Sequence, residues 1–236
     1  MADDEVSAAT LAALKALETP SVCNAIELVV PDRRAWGFTT RTLHCVRPEL
    51  GAMVGLARTV AVRAAQPPAE DAEAVRARRF AYLDYLAKAA GPTISVVECL
   101  DAGQEGFGSF WGEVNSAIHK ALGCIGTVTN GSVRDIDALA AGFQVLAGAV
   151  GPSHGYVHVV DFAGTVSVAG MQVRSGDLVH ADRHGAVTLP RGKADEVLEA
   201  AALIARREAV MLEAARAKGA TIDSIKQAMI DAAKVG

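Results

Sequence analysis

The strongest constraint on the fold comes from the middle of the chain, where three short apolar segments alternate with two glycine-containing connections. The segments cover 93–99, 124–129 and 144–149 and carry the aliphatic and β-branched residues that are typical of strands buried on both faces. Helices are predicted between them, one over 111–122 and a short one that begins near Arg134. Strands that alternate with helices through right-handed crossovers form a parallel sheet. The sequence therefore predicts an α/β protein with a parallel core.

The segments on either side indicate helical ends and a second, β-rich section. We expect the β-rich section to form a small antiparallel layer, because turn signals at Ala163-Gly164 and Arg174-Ser-Gly-Asp divide it. No linker separates these parts, so 1–236 is predicted to be one domain with its core over about 20–190 and C-terminal helices over 191–236. Further predicted helices are 7–17, 21–30, 71–90, 193–218 and the stretch from Thr221 to about 234, and further predicted strands are 41–46, 53–65, 156–162, 165–169 and 178–189.

Composition and charge exclude several classes of protein. Of the 236 residues 51% are apolar and 21% are charged, which excludes a disordered chain. The 23 basic and 27 acidic residues leave a net charge of -4 and the dense basic stretch 76–79 is short, so nucleic acid is not expected as a partner. The uncharged stretch 138–160 is interrupted by glycines, Pro152 and two histidines, unlike a membrane helix. The acidic start at 1–5 differs from a basic secretory signal, so a cytoplasmic location without membrane contact is expected.

Two loops follow neighbouring strands of the predicted parallel sheet, at the edge where open α/β sheets bind their ligands. The first, 101–113, is rich in glycine and precedes a helix. Backbone N–H groups that converge at a helix start bind carboxylate or phosphate oxygens. The same composition is also typical of a tight turn without a ligand, and the residues alone leave both interpretations open.

The second loop, 130–137, places Arg134 beside Asp135. An arginine fork binds a substrate carboxylate, and an aspartate supplies oxygen to a hard cation. Ser132 and Asp135 also have the S-x-x-D spacing of a capping box, in which Asp135 caps its own helix and Arg134 is a solvated surface charge. Spacing alone favours this capping interpretation over a binding site.

Four of the six histidines lie between residues 154 and 184, as the pairs His154/His158 and His180/His184. On a helix, two histidines four residues apart are a metal-binding signature. These segments are predicted as strands and loops, where that spacing has no such meaning. Metal binding, substrate contact with proton transfer, and ordinary structural hydrogen bonding all stay open for these side chains.

Four segments of the chain, taken in order, resemble a known family. They are WGEVNS from Trp111, GCIGTVTNGSVRDIDAL from Gly123, GFQVLAG from Gly142 and SGDLVHADRHGAVTLP from Ser175. Over about 20–190 the chain resembles the RraA-like superfamily, which includes the 4-hydroxy-4-methyl-2-oxoglutarate/4-carboxy-4-hydroxy-2-oxoadipate aldolases and the regulator of ribonuclease E activity A. The resemblance implies a swivelling β/β/α domain with helical N- and C-terminal extensions. It also implies a homo-oligomer, a trimer or a hexamer made of two trimers, with sites near subunit boundaries.

For the aldolase branch the resemblance implies a divalent metal, Mg²⁺ or Mn²⁺. Asp135 is the implied metal residue, acting largely through bound waters, and the 2-oxo acid substrate chelates the metal. Arg134 is implied to contact the substrate and to stabilise its enolate. The implied substrate-binding nest consists of Gly112, Glu113, Val114 and Asn115.

The chain also departs from the aldolase pattern. Glu113 replaces a second glycine and Asn115 replaces a leucine or methionine, while Ala138 and Asn24 stand where the aldolases have acidic residues. Glu113 is therefore predicted to act with Arg134 and Asp135 in catalysis. The predicted substrate-binding residues also include His154 and His158.

The function predicted from these residues is a metal-dependent lyase that acts on a small 2-oxo carboxylic acid. The reaction is either a retro-aldol cleavage or an oxaloacetate-type decarboxylation, since both release a pyruvate enolate that a Lewis acid and a guanidinium stabilise. Two alternatives stay open. One is a non-catalytic regulator that binds another protein, and the other is a different metal-dependent reaction on a sugar acid.

Overall fold

A computed structural model describes residues 6–236, so the acidic start at 1–5, which contributed to the expected location, lies outside the described residues. Two helices precede the sheet, two lie within the α/β part and two follow it. None of the described helices combines the length and the apolar character that a membrane span requires. The helices are α1 (Ala8–Lys15), α2 (Thr19–Val29), α3 (Ala72–Ala87), α4 (Glu113–Ala121), α5 (Ala194–Arg216) and α6 (Ile222–Ala232).

Residues 6–236 form eleven strands, which are β1 (His44–Cys45), β2 (Met53–Arg63), β3 (Thr93–Cys99), β4 (Ser109–Trp111), β5 (Cys124–Val133), β6 (Gln144–Val150), β7 (His158–Phe162), β8 (Val166–Val168), β9 (Met171–Val173), β10 (Leu178–Asp182) and β11 (Gly185–Leu189). Nine of these strands belong to one sheet, and β8 and β9 form a separate hairpin. The main path of the sheet runs β1-β6-β5-β3-β2-β10-β11, while β4 pairs with β5 and β7 pairs with β2. The central pairs β2–β3, β3–β5 and β5–β6 are parallel, as the alternation of strands and helices predicts.

The sheet is barrel-like, and the β8–β9 hairpin packs against one of its faces. One buried cluster joins Val96 and Val128 of the parallel strands to Val168 and Met171 of the hairpin. A second cluster packs α3 and the residues around Trp111 against the other face of the parallel strands. A third cluster packs α1, α2 and α5 against β10 and β11. The fold is a mixed α/β fold with terminal helices, as predicted.

The prediction of a separate antiparallel layer after the core is wrong. The strands β7 and β10 both pair antiparallel with β2, and β11 extends the same sheet beyond β10. The eleven residues of β2 make this possible, since its first part pairs with β10 and its last part with β7. Only the hairpin β8–β9 stands apart, and its second strand was absent from the prediction.

The prediction that the second core strand covers 124–129 and is followed by a loop from residue 130 is also wrong, because β5 continues to Val133. The reason is the side chain of Asn130. Its Oδ1 accepts from the backbone N–H of Cys99 at 2.7 Å, and its Nδ2 donates to the carbonyl of Cys99 at 3.0 Å. The side-chain amide of Asn130 thus bonds both backbone groups of Cys99, the last residue of β3. With its side chain held in this way, the backbone continues in extended form toward Arg134.

Candidate functional site

The short strand β4 positions Arg134. It runs parallel to β5, with Trp111 opposite Val133, and the carbonyl of Trp111 accepts from the backbone N–H of Arg134 at 3.0 Å. The sequence predicted a helix from Trp111, but Trp111 is fully buried in β4 and α4 begins only at Glu113. Because β4 leads directly into α4, the start of that helix lies beside the end of β5.

Asp135 adopts an unusual backbone conformation at this edge. Its φ of 52° and ψ of 43° lie in the left-handed region, which costs most side chains energy and which Asn and Asp tolerate best. The turn aims its carboxylate back at the start of α4. Oδ2 lies 3.4 Å from Nε of Arg134 and 3.4 Å from the backbone nitrogen of Glu113. Both contacts are longer than the roughly 2.7–3.2 Å of a well-formed hydrogen bond.

Both charged side chains keep access to solvent, since Arg134 is 39% and Asp135 38% exposed. The carboxylate of Asp135 therefore has lone pairs that no short protein contact fills. A half-exposed carboxylate of this kind is free to accept from water or to bind a cation.

The start of α4 is open as well, because no side chain caps it. Its N-cap is Gly112, at which a Cβ atom would lie 2.6 Å from Oδ2 of Asp135 and 3.2 Å from Cγ of Arg134. A glycine therefore lets the carboxylate approach the helix. The first N–H groups of a helix and its dipole both favour an anion at this position.

The capping-box interpretation of Ser132 and Asp135 is wrong. Ser132 is buried, and its hydroxyl pairs with that of Ser109 in β4 at 2.9 Å. The one-turn 3₁₀ helix at Ile136–Ala138 receives no side-chain cap. Ser132 thus fastens β5 to β4, and Asp135 is left for another role.

The other nest residues differ in what their side chains do. Glu113 and Val114 are exposed at the first turn of α4. Asn115 is tied to the protein instead, because its Nδ2 donates to the carbonyl of Phe110 at 2.5 Å and its Oδ1 accepts from Nη2 of Arg79 at 2.9 Å. Sequence reasoning missed the contribution of Arg79, which α3 brings across to α4 from 36 residues away, and no local motif marks it.

The glycine-rich loop before β4 is held by its first residue. Asp101 is buried, and its Oδ2 accepts from the backbone N–H groups of Ala64 and Ala65 at 2.5 and 3.1 Å. The loop then reaches β4, where the backbone N–H of Ser109 donates to the carbonyl of Ser153 at 2.8 Å. The glycines of 101–109 therefore lie in a loop that packs on the segment around Ser153. The N–H groups that no side chain caps are those at the start of α4, which follows Gly112.

His154 and His158 lie on that neighbouring segment. The Nδ1 of His154 contacts the carbonyl of Gly155 at 2.6 Å, and the Nδ1 of His158 contacts that of Tyr156 at 2.7 Å. Within the described part of the chain neither histidine forms a hydrogen bond or an ion pair with Arg134 or Asp135.

The second pair of histidines holds the fold together. His180 is fully buried, and its Nε2 lies 3.1 and 3.2 Å from the carbonyls of Leu14 and Leu17, so this nitrogen carries the proton. Its Nδ1 then accepts from the hydroxyl of Thr19 at 3.0 Å. His184 pairs with Asp182 at 3.1 Å. The pair therefore belongs to the attachment of α1 and α2 to β10.

A further histidine, His119, lies buried beneath the site on α4. Its ring centroid is 4.6 Å from that of Trp111, its Nδ1 is 2.7 Å from the carbonyl of Asn115, and its Nε2 is 2.9 Å from the hydroxyl of Tyr82. Burial lowers its pKa to about 4, so the imidazole is neutral near pH 7. It supports α4 as an uncharged packing group.

The donor set suits a cation that keeps much of its water. Across residues 6–236 no cluster of three or more His, Cys, Asp or Glu side chains forms a closed metal site. Mg²⁺ commonly binds through one or two carboxylates, with waters and substrate oxygens as the remaining ligands. The single open carboxylate of Asp135 fits such an ion and does not fit a structural zinc.

Comparison with known families decides the relationship of the chain. The family model described as RraA-like: Aldolase/RraA matches residues 19–188, which is more than half of the protein. The chain belongs to the RraA-like family. This family includes aldolases and regulators of RNase E, so membership by itself leaves the activity open.

Two solved structures share the fold of this chain. An uncharacterized protein from Pseudomonas syringae superposes with a TM-score of 0.71 at 20% identity, over 96% of this chain and 95% of that one. Streptomyces coelicolor RraAS2, an unusual member of the RNase ES inhibitor RraA protein family, superposes with a TM-score of 0.66 at 20% identity, over 87% and 96%. No curated protein matches the chain.

Proposed function

We propose that this RraA-like protein is a divalent-metal-dependent lyase that cleaves a small 2-oxo carboxylic acid. One observation carries the proposal. Asp135 is held in the left-handed conformation with a half-exposed carboxylate and no short protein contact, beside Arg134 and the uncapped start of α4. Unusual backbone conformations of this kind persist where the surroundings enforce them and cluster at functional sites.

Asp135 would hold the Mg²⁺ or Mn²⁺ ion, with water and substrate oxygens completing its ligands. The bound ion supplies Lewis acidity toward the 2-oxo group of the substrate. The residues of the chain do the rest, because the uncapped N–H groups of α4 at Val114 and Asn115 bind the substrate carboxylate. Arg134 donates to the oxygen on which negative charge develops.

Both candidate reactions leave the same enolate. In retro-aldol cleavage the C3–C4 bond of a 4-hydroxy-2-oxo acid breaks, the 4-hydroxyl loses its proton and becomes a carbonyl, and the electron pair passes to the pyruvate enolate. In decarboxylation of an oxaloacetate-like acid the same pair is released as CO₂ departs. The enolate then takes a proton at C3. We assign the proton transfers to Glu113, whose side chain is exposed at the first turn of α4.

Two further elements belong to the proposal. His154 and His158 extend the substrate site from the neighbouring segment and contact the distal part of the acid. The protein forms a homotrimer or a hexamer, and the half-exposed site lies near a boundary between subunits.

The test is pyruvate release from 4-hydroxy-4-methyl-2-oxoglutarate and from oxaloacetate, with Mg²⁺ or Mn²⁺ and then with chelator. Turnover is expected to vanish with chelator and in the Arg134→Ala and Asp135→Asn variants. Asparagine is chosen at 135 because it tolerates the left-handed conformation while removing the charge. Asp137→Asn is the matched control, since Asp137 is an exposed acid in the same loop. A protein-free reaction corrects for decarboxylation of oxaloacetate by the metal alone.

Turnover that is equal in the wild type and in both variants would contradict the assignment of the site. Absence of turnover together with bound metal would favour a different acid substrate. Absence of both metal binding and turnover would favour a regulator that binds another protein, and the lyase proposal would then be abandoned.

A further inference from the structure

A second candidate site lies near the opposite end of the sheet from Arg134. A cavity of about 410 Å³ opens between the 3₁₀ helix at Pro31–Ala35, the hairpin β8–β9 and the end of β11. Cavities of roughly 300–1,000 Å³ are the size that holds small ligands. In the strand order β11 is separated from β5 by β10, β2 and β3, so this cavity is distinct from the edge that carries Asp135.

The lining of the cavity is strongly basic. Arg33, Arg174 and Arg191 all contribute to it, and the acid in the lining is Asp177. The Oδ2 of Asp177 already accepts from the backbone N–H of Arg174 at 2.8 Å. Within 6–236 none of the three arginines forms an ion pair. The cavity therefore carries a net positive charge, since three guanidinium groups and one carboxylate line it.

Arg33 shows that this charge is built into the fold. Arg33 is only 9% exposed. Its Nη2 donates to the carbonyl of Thr188 at 2.6 Å and to the hydroxyl of Thr188 at 2.8 Å. The ring of Trp36 lies 4.2 Å from its guanidinium carbon. Burial lowers the pKa of Arg33, and the charge of Asp177 offsets this only in part.

Some hydrogen-bond donors of the three cavity arginines have no partner within residues 6–236. The Nε atoms of Arg33 and Arg191 are both buried and without a partner among the described residues. A buried donor that is left unpaired destabilises the folded state, and a charged donor does so most strongly. Three guanidinium groups from three separate elements, two of them with an unpaired buried donor, are the donor set that oxyanions satisfy best.

We propose that this cavity binds a small organic anion with at least two acidic groups, carboxylate or phosphate, at a site separate from the proposed lyase centre. Arg174 and Arg191 bind the acidic groups. Arg33, fixed between Thr188 and Trp36, supplies a preorganised charge at the wall of the cavity. Thr165 and Gln172 in the lining offer polar contacts to the remainder of the ligand.

The test is isothermal titration calorimetry with two probes, citrate and inorganic pyrophosphate, at constant ionic strength, on protein freed of metal ions by passage over a chelating resin. Saturable binding of at least one probe is expected in the wild type. We expect the dissociation constant to rise at least tenfold in Arg174→Ala and in Arg191→Ala, neither of which removes the contacts that Arg33 makes with Thr188. Arg76→Ala is the control, because Arg76 is an exposed arginine on α3 outside the cavity, and it is expected to leave binding unchanged.

The two probes also separate the two kinds of ligand. Preference for citrate identifies a polycarboxylate, and preference for pyrophosphate identifies a phosphorylated compound. The proposal is overturned if neither probe binds, or if binding survives in both variants. It is also overturned if binding is lost in Arg134→Ala alone, since the anion then occupies the α4 edge.

Discussion

Asp135 and Asp182 are two aspartates near the ends of strands in one sheet, and their surroundings differ sharply. The side chain of Asp182 is only 8% exposed, and it accepts from the backbone N–H groups of Thr19 and His184 at 2.9 and 2.8 Å. The side chain of Asp135 is 38% exposed and has two contacts of 3.4 Å. The carboxylate of Asp182 therefore has short hydrogen bonds from the protein, whereas that of Asp135 has none from the residues that the structure describes.

The comparison separates a group that holds the fold from one that is available to a ligand. Burial by itself raises the pKa of Asp182, but the hydrogen bonds from Thr19 and His184 outweigh it and the pKa falls below its ordinary value. The ionised side chain of Asp182 thus stabilises the folded protein. This contribution is lost as the pH falls through the lowered pKa. Asp135 has no comparable set of short contacts, so its removal is expected to affect ligands more than stability.

The largest expected effect is on activity, in Asp135→Asn. Metal-dependent pyruvate release should fall at least about 100-fold, which is typical of the loss of a central electrostatic group. Asparagine keeps the left-handed turn, so the melting temperature should stay close to that of the wild type. Steady-state kinetics and calorimetry on the same preparation check both expectations. A variant that unfolds would place Asp135 with Asp182 as a structural group.

The converse is expected for Asp182→Ala, which should lower the free energy of unfolding by about 2–3 kcal/mol. The reason is that the backbone donors of Thr19 and His184 lose their acceptor in a buried region. Urea denaturation measures the loss. Asp84→Ala, at an exposed position on α3, is the control and should change stability by less than about 0.5 kcal/mol. Equal losses in the two variants would remove the contrast with Asp135.

A third prediction concerns the support beneath the site. The pKa of His119 is about 4 in the folded protein, below the ordinary value of 6.5, so between these values the unfolded chain binds more protons. Stability should therefore fall as the pH is lowered from about 7 to 5, by roughly 2 kcal/mol from this residue. Urea titrations at each pH should show a shallower decline in His119→Gln. His44→Gln, at an exposed histidine, should retain the wild-type slope.

The smallest expected effect is on kcat/KM in Gly112→Ala, which tests whether Asp135 must lie close to α4. In Gly112→Ala the added Cβ would lie 2.6 Å from Oδ2 of Asp135, so the carboxylate must move. The backbone at Gly112 is extended, with φ -173°, and an alanine adopts it without strain. We expect about a tenfold loss of kcat/KM, roughly 1.4 kcal/mol, with little change in stability. Gly123→Ala, at the opposite end of α4, should instead lose stability, because Gly123 has φ 89°. Unchanged kinetics in Gly112→Ala would show that the closeness of Asp135 to α4 is irrelevant.

Much of the fold was predictable because local patterns are strong there. The strand Thr93–Cys99 was predicted with its observed bounds, and the last predicted helix does start at Thr221, whose side chain caps α6 by accepting from the backbone N–H of Ser224. Helix boundaries elsewhere agreed within a few residues, since breakers such as Gly91-Pro92 stop helices by local chemistry. The family was also predictable from the order of its motifs along the sequence, and the family match over 19–188 confirmed the resemblance.

The errors fell where distant residues replace local partners. Asn130 looks like a turn residue, and only the neighbouring β3 turns it into a continuation of the strand. Ser132 and Asp135 have capping spacing, yet β4 supplies a hydroxyl partner that no nearby residue announces. Arg79 reaches Asn115 from another helix.

Periodicity, breakers and adjacency along the chain were enough to predict the alternation of strands and helices, the parallel core, the family and the neighbouring positions of Arg134 and Asp135. Which polar groups have hydrogen-bond partners, and which remain open, could be seen only in the folded structure. A carboxylate finds its partners among donors brought from other elements, as Thr19 is brought to Asp182 across 163 residues. For the same physical reason, the open carboxylate of Asp135 is recognisable only once its neighbours in space are known.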